Sequence, residues 1–332
     1  MLKVVDWQLK NPLHKPNDWT NGAFYAGVFA AYETTKSEKI LDSLMAMGER
    51  MAWQPANRFD HADDIAISQT YIGMYRLKHD RRMIQPTLDS VAKMKTVKGN
   101  ETRNHGIMWW WCDALFMAPP TLAMLGNYPK TGATPQYFAL NDSLFQLTYD
   151  LLWDKDEQLF YRDAAYLLNA KGEGKHEANG KKVFWSRGNG WVLGGLVRLL
   201  KELPKDYPKR PFYVTIYKQM MAKIKSLQQA DGLWRSSLLD PAAYPGGEGS
   251  GSGFDCYAMA WGINNGILDK ATYAPSVKKA WIGLNKLVLP SGCVGWVQPI
   301  GADPRRNFSA KSWEVFGAGA FLLAGSEVIK MK

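Results

Sequence analysis

Apolar residues recur at i, i+3 and i+4 along almost the whole chain, and this period constrains the fold more than any other feature. It runs through GAFYAGVFAAYETT, ILDSLMAMGERMAW, AISQTYIGMYRL, YFALNDSLFQLTYDLLW, GWVLGGLVRLLKEL, FYVTIYKQMMAKIKSL, FDCYAMAWGINNGIL, SVKKAWIGLNKLVL and VFGAGAFLLAGSEVI. Such spacing lays an apolar stripe along an α-helix, whereas the two-residue alternation of a half-buried strand is scarce here. Clusters of Gly, Pro, Asn and Asp punctuate the segments. The class read from this pattern is all-α. Several helices are apolar on every side and carry small residues (Gly27, Ala30, Gly194, Gly195, Gly262), so they suit an inner ring enclosed by a second one. The connections repeat a theme of turn, aromatic and short β-excursion in WDKDEQLFYRDAAY, QQADGLWRSSLLD and LPSGCVGWVQPIG. Two concentric helical rings make an (α/α)6 barrel with a loop-lined cup at one end. No apolar-poor linker interrupts the 332 residues, which are expected to form one domain, 1–332.

Charge and cysteine usage narrow the partners. Lys and Arg exceed Asp and Glu by 41 − 31 = 10, which favours anionic ligands. The basic residues are scattered in short groups such as KKVFWSR and DPRR, with no nucleic-acid motif, which speaks against nucleic acid; an acidic small molecule or oligosaccharide fits the charge as well. Cys112, Cys256 and Cys293 lie far apart, lack metal-type spacing and read as buried small hydrophobes. No run is long enough to cross a bilayer as a helix, so no membrane partner is expected. The opening MLKVVDWQLKNP reads as a helix in progress. A leader removed upstream of it would fit a periplasmic location, and its absence a cytoplasmic one. A monomer is expected.

Four constellations carry candidate chemistry. In WWWCDALFMAPP, Asp113 follows three tryptophans. It is either a helix N-cap or a carboxyl held in an aromatic pocket, where lost hydration raises its pKa and makes it a proton donor. In RFDHADDIAISQTY, His61, Asp63 and Asp64 gather before an apolar helix; one aspartate suffices for capping, so the cluster suggests more. In KKVFWSRGNGWVLGGL, Trp185 and Trp191 flank Arg187. A guanidinium fork pairs with a carboxylate and tryptophan faces stack on sugars, although a glycine-rich helix entry with core tryptophans explains the text equally well. In YPGGEGSGSGFDCYAMAWG, Glu248 sits on what reads as a polar surface loop before a helix. His79, His105 and His176 read as solvated, and Asp231 and Asp240 as turn residues. Neither a nucleophile elbow nor a HExxH is present, and no metal or organic cofactor is called for.

DWTNGAFYAG, HADDIAISQTY, WWWCDALFMAPP, FWSRGNGWVLGGL and DGLWRSSLLD, in this order, resemble the unsaturated glucuronyl and rhamnogalacturonyl hydrolases of glycoside hydrolase family 105, related to family 88. The resemblance spans nearly the whole chain. It implies an (α/α)6 barrel that removes a 4,5-unsaturated uronic acid from the non-reducing end of lyase-generated oligosaccharides. The implied chemistry is hydration of the C4=C5 vinyl ether, with hemiketal opening and release of a keto-aldehyde. It further implies Asp113 as general acid/base, Asp64 as second carboxylate with Asp63 its neighbouring rival, and Trp111, Trp185, Arg187 and Trp191 around the sugar. Tyr25 falls at the expected aromatic platform, and His61 and Asp63 beside the substrate. Where many members carry a histidine, LFYRDAAY has Arg162 and Asp163, and an arginine there suits a different acidic substituent. A direct inverting glycosidase, a polysaccharide lyase and a non-catalytic sugar-binding toroid are the competing readings.

Overall fold

The computed structural model describes residues 1–94, 106–128 and 135–331. Its helices are α1 (Leu2–Lys10), α2 (Trp19–Thr35), α3 (Glu38–Arg50), α4 (Ser68–Lys78), α5 (Gln85–Met94), α6 (Ala114–Met117), α7 (Pro119–Gly126), α8 (Pro135–Leu152), α9 (Ser186–Glu202), α10 (Arg210–Ser226), α11 (Gly249–Asn264), α12 (Lys270–Lys286) and α13 (Val315–Val328). Inner helices pack in a closed circuit: α2 on α4, α4 on α7, α6 and α7 on α9, α9 on α11, α11 on α13, and α13 back on α2. Outside them α1 lies on α13, α3 on α2, α8 on α7, α10 on α9 and α12 on α11. The architecture is the (α/α)6 barrel expected from the period.

Inner helices are buried on all faces because both rings cover them. Along α11, Gly249 through Gly262 are buried without interruption. Close approach demands small residues there. A Cβ on Gly27 would lie 2.4 Å from the Gly319 carbonyl oxygen, and one on Gly195 would lie 2.1 Å from that of Leu115. The expected β-excursions are present. Trp153–Asp154 pairs with Leu159–Phe160, and isolated bridges join Trp185 to Ser237 and Val288 to Val294. Cys112, Cys256 and Cys293 are buried and free, as their spacing suggested.

The inner helices run parallel, since early residues meet early residues. Gly190, near the start of α9, abuts Gly251 near the start of α11, and Gly253 abuts Ala320 early in α13. With α6 and α7 counted as one broken inner helix, six N-termini therefore open on one end of the barrel, where their unpaired N–H groups favour negative charge. Asp18 answers the first, accepting from Thr20 N–H at 3.0 Å. The opposite end holds a cavity of about 450 Å³. There Arg76 pairs with Glu202 at 2.8 Å and Lys201 with Glu327 at 2.7 Å, so its charges answer each other and the helix C-termini. Among the described residues, no helix is long and apolar enough to cross a membrane.

Candidate active site

The site is built on the short segments that feed the inner helices at their N-terminal end. Asp113 immediately precedes α6, yet its side chain makes no capping hydrogen bond. It is 8% exposed. Of the two readings open in the sequence, the cap is therefore excluded. Burial pushes the Asp113 carboxyl up, against the opposing pull of Arg162, the Cys112 thiol and Arg187. Cys112 donates its thiol to Asp113 Oδ1 at 3.2 Å. Gly188 on α9 leaves the room for this pair, because a Cβ there would stand 3.1 Å from Cys112 Sγ and 3.6 Å from Asp113 Oδ1.

The second carboxyl faces Asp113 from the 3₁₀ turn Ala62–Ile65. Adjacent aspartates in this turn have opposite circumstances. Asp64 is consumed by Arg58: Oδ2 accepts from the backbone N–H at 2.7 Å, and Oδ1 accepts from Nε at 3.0 Å and Nη2 at 2.6 Å. Such a carboxylate ties down the 58–64 loop and has little capacity left for substrate. Asp63 carries the perturbed group. Burial first, then the charge of Asp113, raises its pKa from 3.8 to about 7. Of the two aspartates, Asp64, expected as the second carboxylate, is bound by Arg58 six residues upstream, and its rival Asp63 is the one left facing Asp113.

Aromatic and cationic side chains complete the wall. The His61 ring lies 4.6 Å from that of Trp111, and its Nδ1 is 3.7 Å from Asp63. Burial and then Arg58 push the His61 pKa down, which keeps the ring neutral near pH 7. Trp111 is fixed by a bridge to Asp163 and by the Cys112 N–H donating to the Arg162 carbonyl at 2.9 Å. That pairing brings Arg162 beside Asp113, where its Nη1 donates to Asp163 at 2.6 Å and its guanidinium lies over Trp110. Asp113, Asp63, His61, Trp111 and Arg162 therefore converge.

Other expected site residues are placed elsewhere. Arg187 is 1% exposed and donates to the carbonyls of Gln298 and Pro299, the latter at 2.8 Å. Its guanidinium is stacked against Trp185 at 4.5 Å and Phe316 at 4.8 Å. It is held as a buried brace, not as a free fork, and Trp185 presents a face to it. Trp191 is fully buried among Trp19, Phe116, Phe254 and Phe316, which makes it core. Tyr25 lines a groove between α1, α2 and α3, with Arg50 and Met47, outside the cup. Its place in the motif is right for an aromatic platform, but the helix turns that position outward.

Glu248 corrects the surface-loop reading. It is fully buried and caps α11, accepting from Gly251 N–H at 2.6 Å and Ser250 N–H at 3.3 Å. It also accepts from the Gln298 N–H at 3.1 Å and lies 4.0 Å from Arg187. GSGSG is consequently helical. Gln298, in turn, accepts from Trp185 Nε1 at 3.4 Å and from Arg305 N–H at 3.2 Å. This network pins the 296–312 segment onto the barrel end, and nothing local in the sequence announced it. His176 is exposed, His79 ends α4 in the left-handed region, Asp231 and Asp240 accept from nearby turn or loop N–H groups, and His105 lies outside the described residues. Among the described residues, no group of three or more His, Cys, Asp and Glu side chains is arranged to hold a metal.

Fold and site together define a six-hairpin glycosidase: a double helical toroid with two neighbouring carboxyls of raised pKa at the N-terminal end of its inner ring. The chain belongs to Glycosyl Hydrolase Family 88, whose family model matches residues 2–332. It is similar to the unsaturated 3S-rhamnoglycuronyl hydrolase of Formosa agariphila, at 44% identity over all of this chain and 90% of that protein. Among solved structures it is similar to a family 88 glycosyl hydrolase from Bacteroides vulgatus, with a TM-score of 0.86, 30% identity, and coverage of 95% and 93% of the two chains. A protein described as a polysaccharide lyase has a TM-score of 0.88 at 33% identity, covering 98% of this chain and 94% of its own.

Proposed function

We propose that this glycoside hydrolase removes a 4,5-unsaturated uronic acid from the non-reducing end of lyase-generated oligosaccharides by hydrating the C4=C5 double bond, with residues 1–332 acting as one catalytic domain. The observation that carries the reading is Asp113: a buried carboxyl at a helix start that caps nothing and is pushed toward its protonated form, facing Asp63, whose pKa is about 7. A buried carboxyl pushed toward its protonated form beside a second carboxyl that titrates near 7 suits an enol ether, whose hydration begins with proton transfer to carbon.

Asp113 delivers its proton to C4. Positive charge then spreads over C5 and the ring oxygen. Once ionised, Asp113 accepts a proton from the water that adds at C5, and Asp63 orients that water or steadies the charge. The resulting hemiketal opens and releases the sugar behind it. Trp111 and His61 offer flat surfaces to the uronate ring, and Arg162 and the six helix N-termini favour its carboxylate. The named activity of the Formosa relative supports the same substrate class.

The test is to incubate the protein with lyase-digested acidic polysaccharide and follow the ultraviolet absorbance of the unsaturated uronate. Hydration removes it. A direct glycosidase leaves it, a lyase creates more of it, as the lyase-described neighbour makes worth checking, and a binding toroid changes nothing. Asp113→Asn should lower the rate about a hundredfold to ten-thousandfold while the protein stays folded. A variant that still consumed the absorbance at the wild-type rate would remove Asp113 from the mechanism.

A further inference from the structure

Cys112 is a buried thiol that the reaction as described leaves unused. It has little freedom. Its N–H donates to the Arg162 carbonyl at 2.9 Å, and its own carbonyl accepts from Leu115 N–H at 3.0 Å. The side chain is fully buried, and α9 closes over it at Gly188, where a Cβ would come within 3.1 Å of Sγ. Within this enclosure the thiol contacts Asp113 Oδ1 at 3.2 Å. Among the described residues, no group bonds Oδ2.

We propose that Cys112 is a positioning residue for the proton transfer: its S–H occupies Asp113 Oδ1, fixes the carboxyl plane and leaves Oδ2 to carry the proton that goes to the substrate. The chemistry is that of an asymmetric carboxylic acid. Its carbonyl oxygen is the better acceptor, so a donor fixed on Oδ1 favours the O–H on Oδ2. Burial, and then the charge of Asp113, hold the thiol pKa well above its ordinary value, so the sulfur remains a donor through both states of Asp113. A thiol is also a weak, neutral donor. It orients the acid and lowers its pKa only slightly, whereas a charged ammonium donor in the same place would hold it ionised. During turnover the S–H bond neither breaks nor forms; the proton leaves Oδ2 for carbon, and one returns there from water.

This inference rests on Asp113 being the proton donor, and its test separates the two ideas. Cys112→Ala should lower kcat roughly threefold to tenfold, the range one neutral hydrogen bond supplies, with KM nearly constant. Without the donor, the ionised form loses support, so the alkaline limb of kcat/KM should move to higher pH. Cys112→Ser should restore most of kcat and move that limb back down. A structural role alone would lower the melting temperature and the amount of active enzyme, but leave the limb in place. Infrared spectroscopy reads the contact in the wild-type protein without an activity measurement. The Cys112 S–H stretch, identified by its loss in Cys112→Ser, should shift to lower wavenumber as Asp113 ionises. Unchanged kcat and limb in Cys112→Ala, or an S–H band that ignores pH, overturns the positioning role. Full hydration activity in Asp113→Asn overturns the acid assignment instead.

Discussion

The two adjacent aspartates before α4 predict opposite mutant phenotypes. Asp63 has a folded-state pKa of about 7 against an ordinary value of 3.8. At 1.36 kcal/mol per pH unit, this difference makes the ionised side chain cost up to ~4 kcal/mol of stability. The folded pKa is the higher one. The cost is therefore absent below pH 3.8, grows as pH rises through the window, and is complete above about pH 7. Asp63→Asn should thus leave stability unchanged at pH 4, raise it at pH 8 by up to ~4 kcal/mol, and lower kcat about a hundredfold or more. Asp64→Asn should do the reverse. It strips Arg58 of the acceptor reached at 2.6 and 3.0 Å and weakens the 58–64 loop. A loss of about 1–3 kcal/mol is expected, held down because the Arg58 side chain is 58% exposed. Its kcat, per folded molecule, should stay within about tenfold of wild type, well short of the loss expected of an acid/base group. Urea denaturation of both variants at pH 4 and pH 8, with absorbance assays beside it, supplies every term. Equal stabilisation by Asp63→Asn at the two pH values would refute the electrostatic argument, and a larger kcat loss in Asp64→Asn than in Asp63→Asn would refute the assignment.

Other outcomes follow from the packing. Gly195→Ala forces a Cβ to within 2.1 Å of the Leu115 carbonyl and should destabilise by roughly 1–3 kcal/mol or more, read as a lower melting temperature. Trp191→Ala should cost about 3–5 kcal/mol, because its ring is core rather than a sugar platform, so stability should fall before substrate affinity does. Asp255 is fully buried with neither carboxyl oxygen bonded, and burial pushes its pKa well up. Asp255→Asn should therefore stabilise the protein by about 1–3 kcal/mol at neutral pH and progressively less as pH falls toward 4, as seen in chemical denaturation.

Much of the site was legible because burial leaves a chemical trace. Three tryptophans before a lone aspartate at 113 pointed to a desolvated acid, and the structure keeps that carboxyl buried and free of capping duty. Asp63 and Asp64 were not separable. They share a turn, and what distinguishes them is the reach of one arginine. Tyr25, Trp191 and Arg187 were misplaced for a related reason. Helices covered by both rings are apolar all round, so the period that normally tells inside from outside is lost along them. A motif position there no longer says whether its side chain looks into the cup, into the core or toward the outer ring. Glu248 was hidden by composition: GSGSG reads as solvated loop, yet those small residues let α9 and α11 approach once a buried carboxylate caps the helix.

The sequence alone determined that helices form, that some must be enclosed on every side, and that an aspartate follows three tryptophans where a helix begins. Those are local facts, set by side-chain period, size and hydration. Tertiary structure decided which aspartate meets Asp113 and which arginine is brought beside it. Such choices depend on residues brought together by closure of the ring, and a Coulomb or hydrogen-bond partner arriving from another helix leaves no period in the chain.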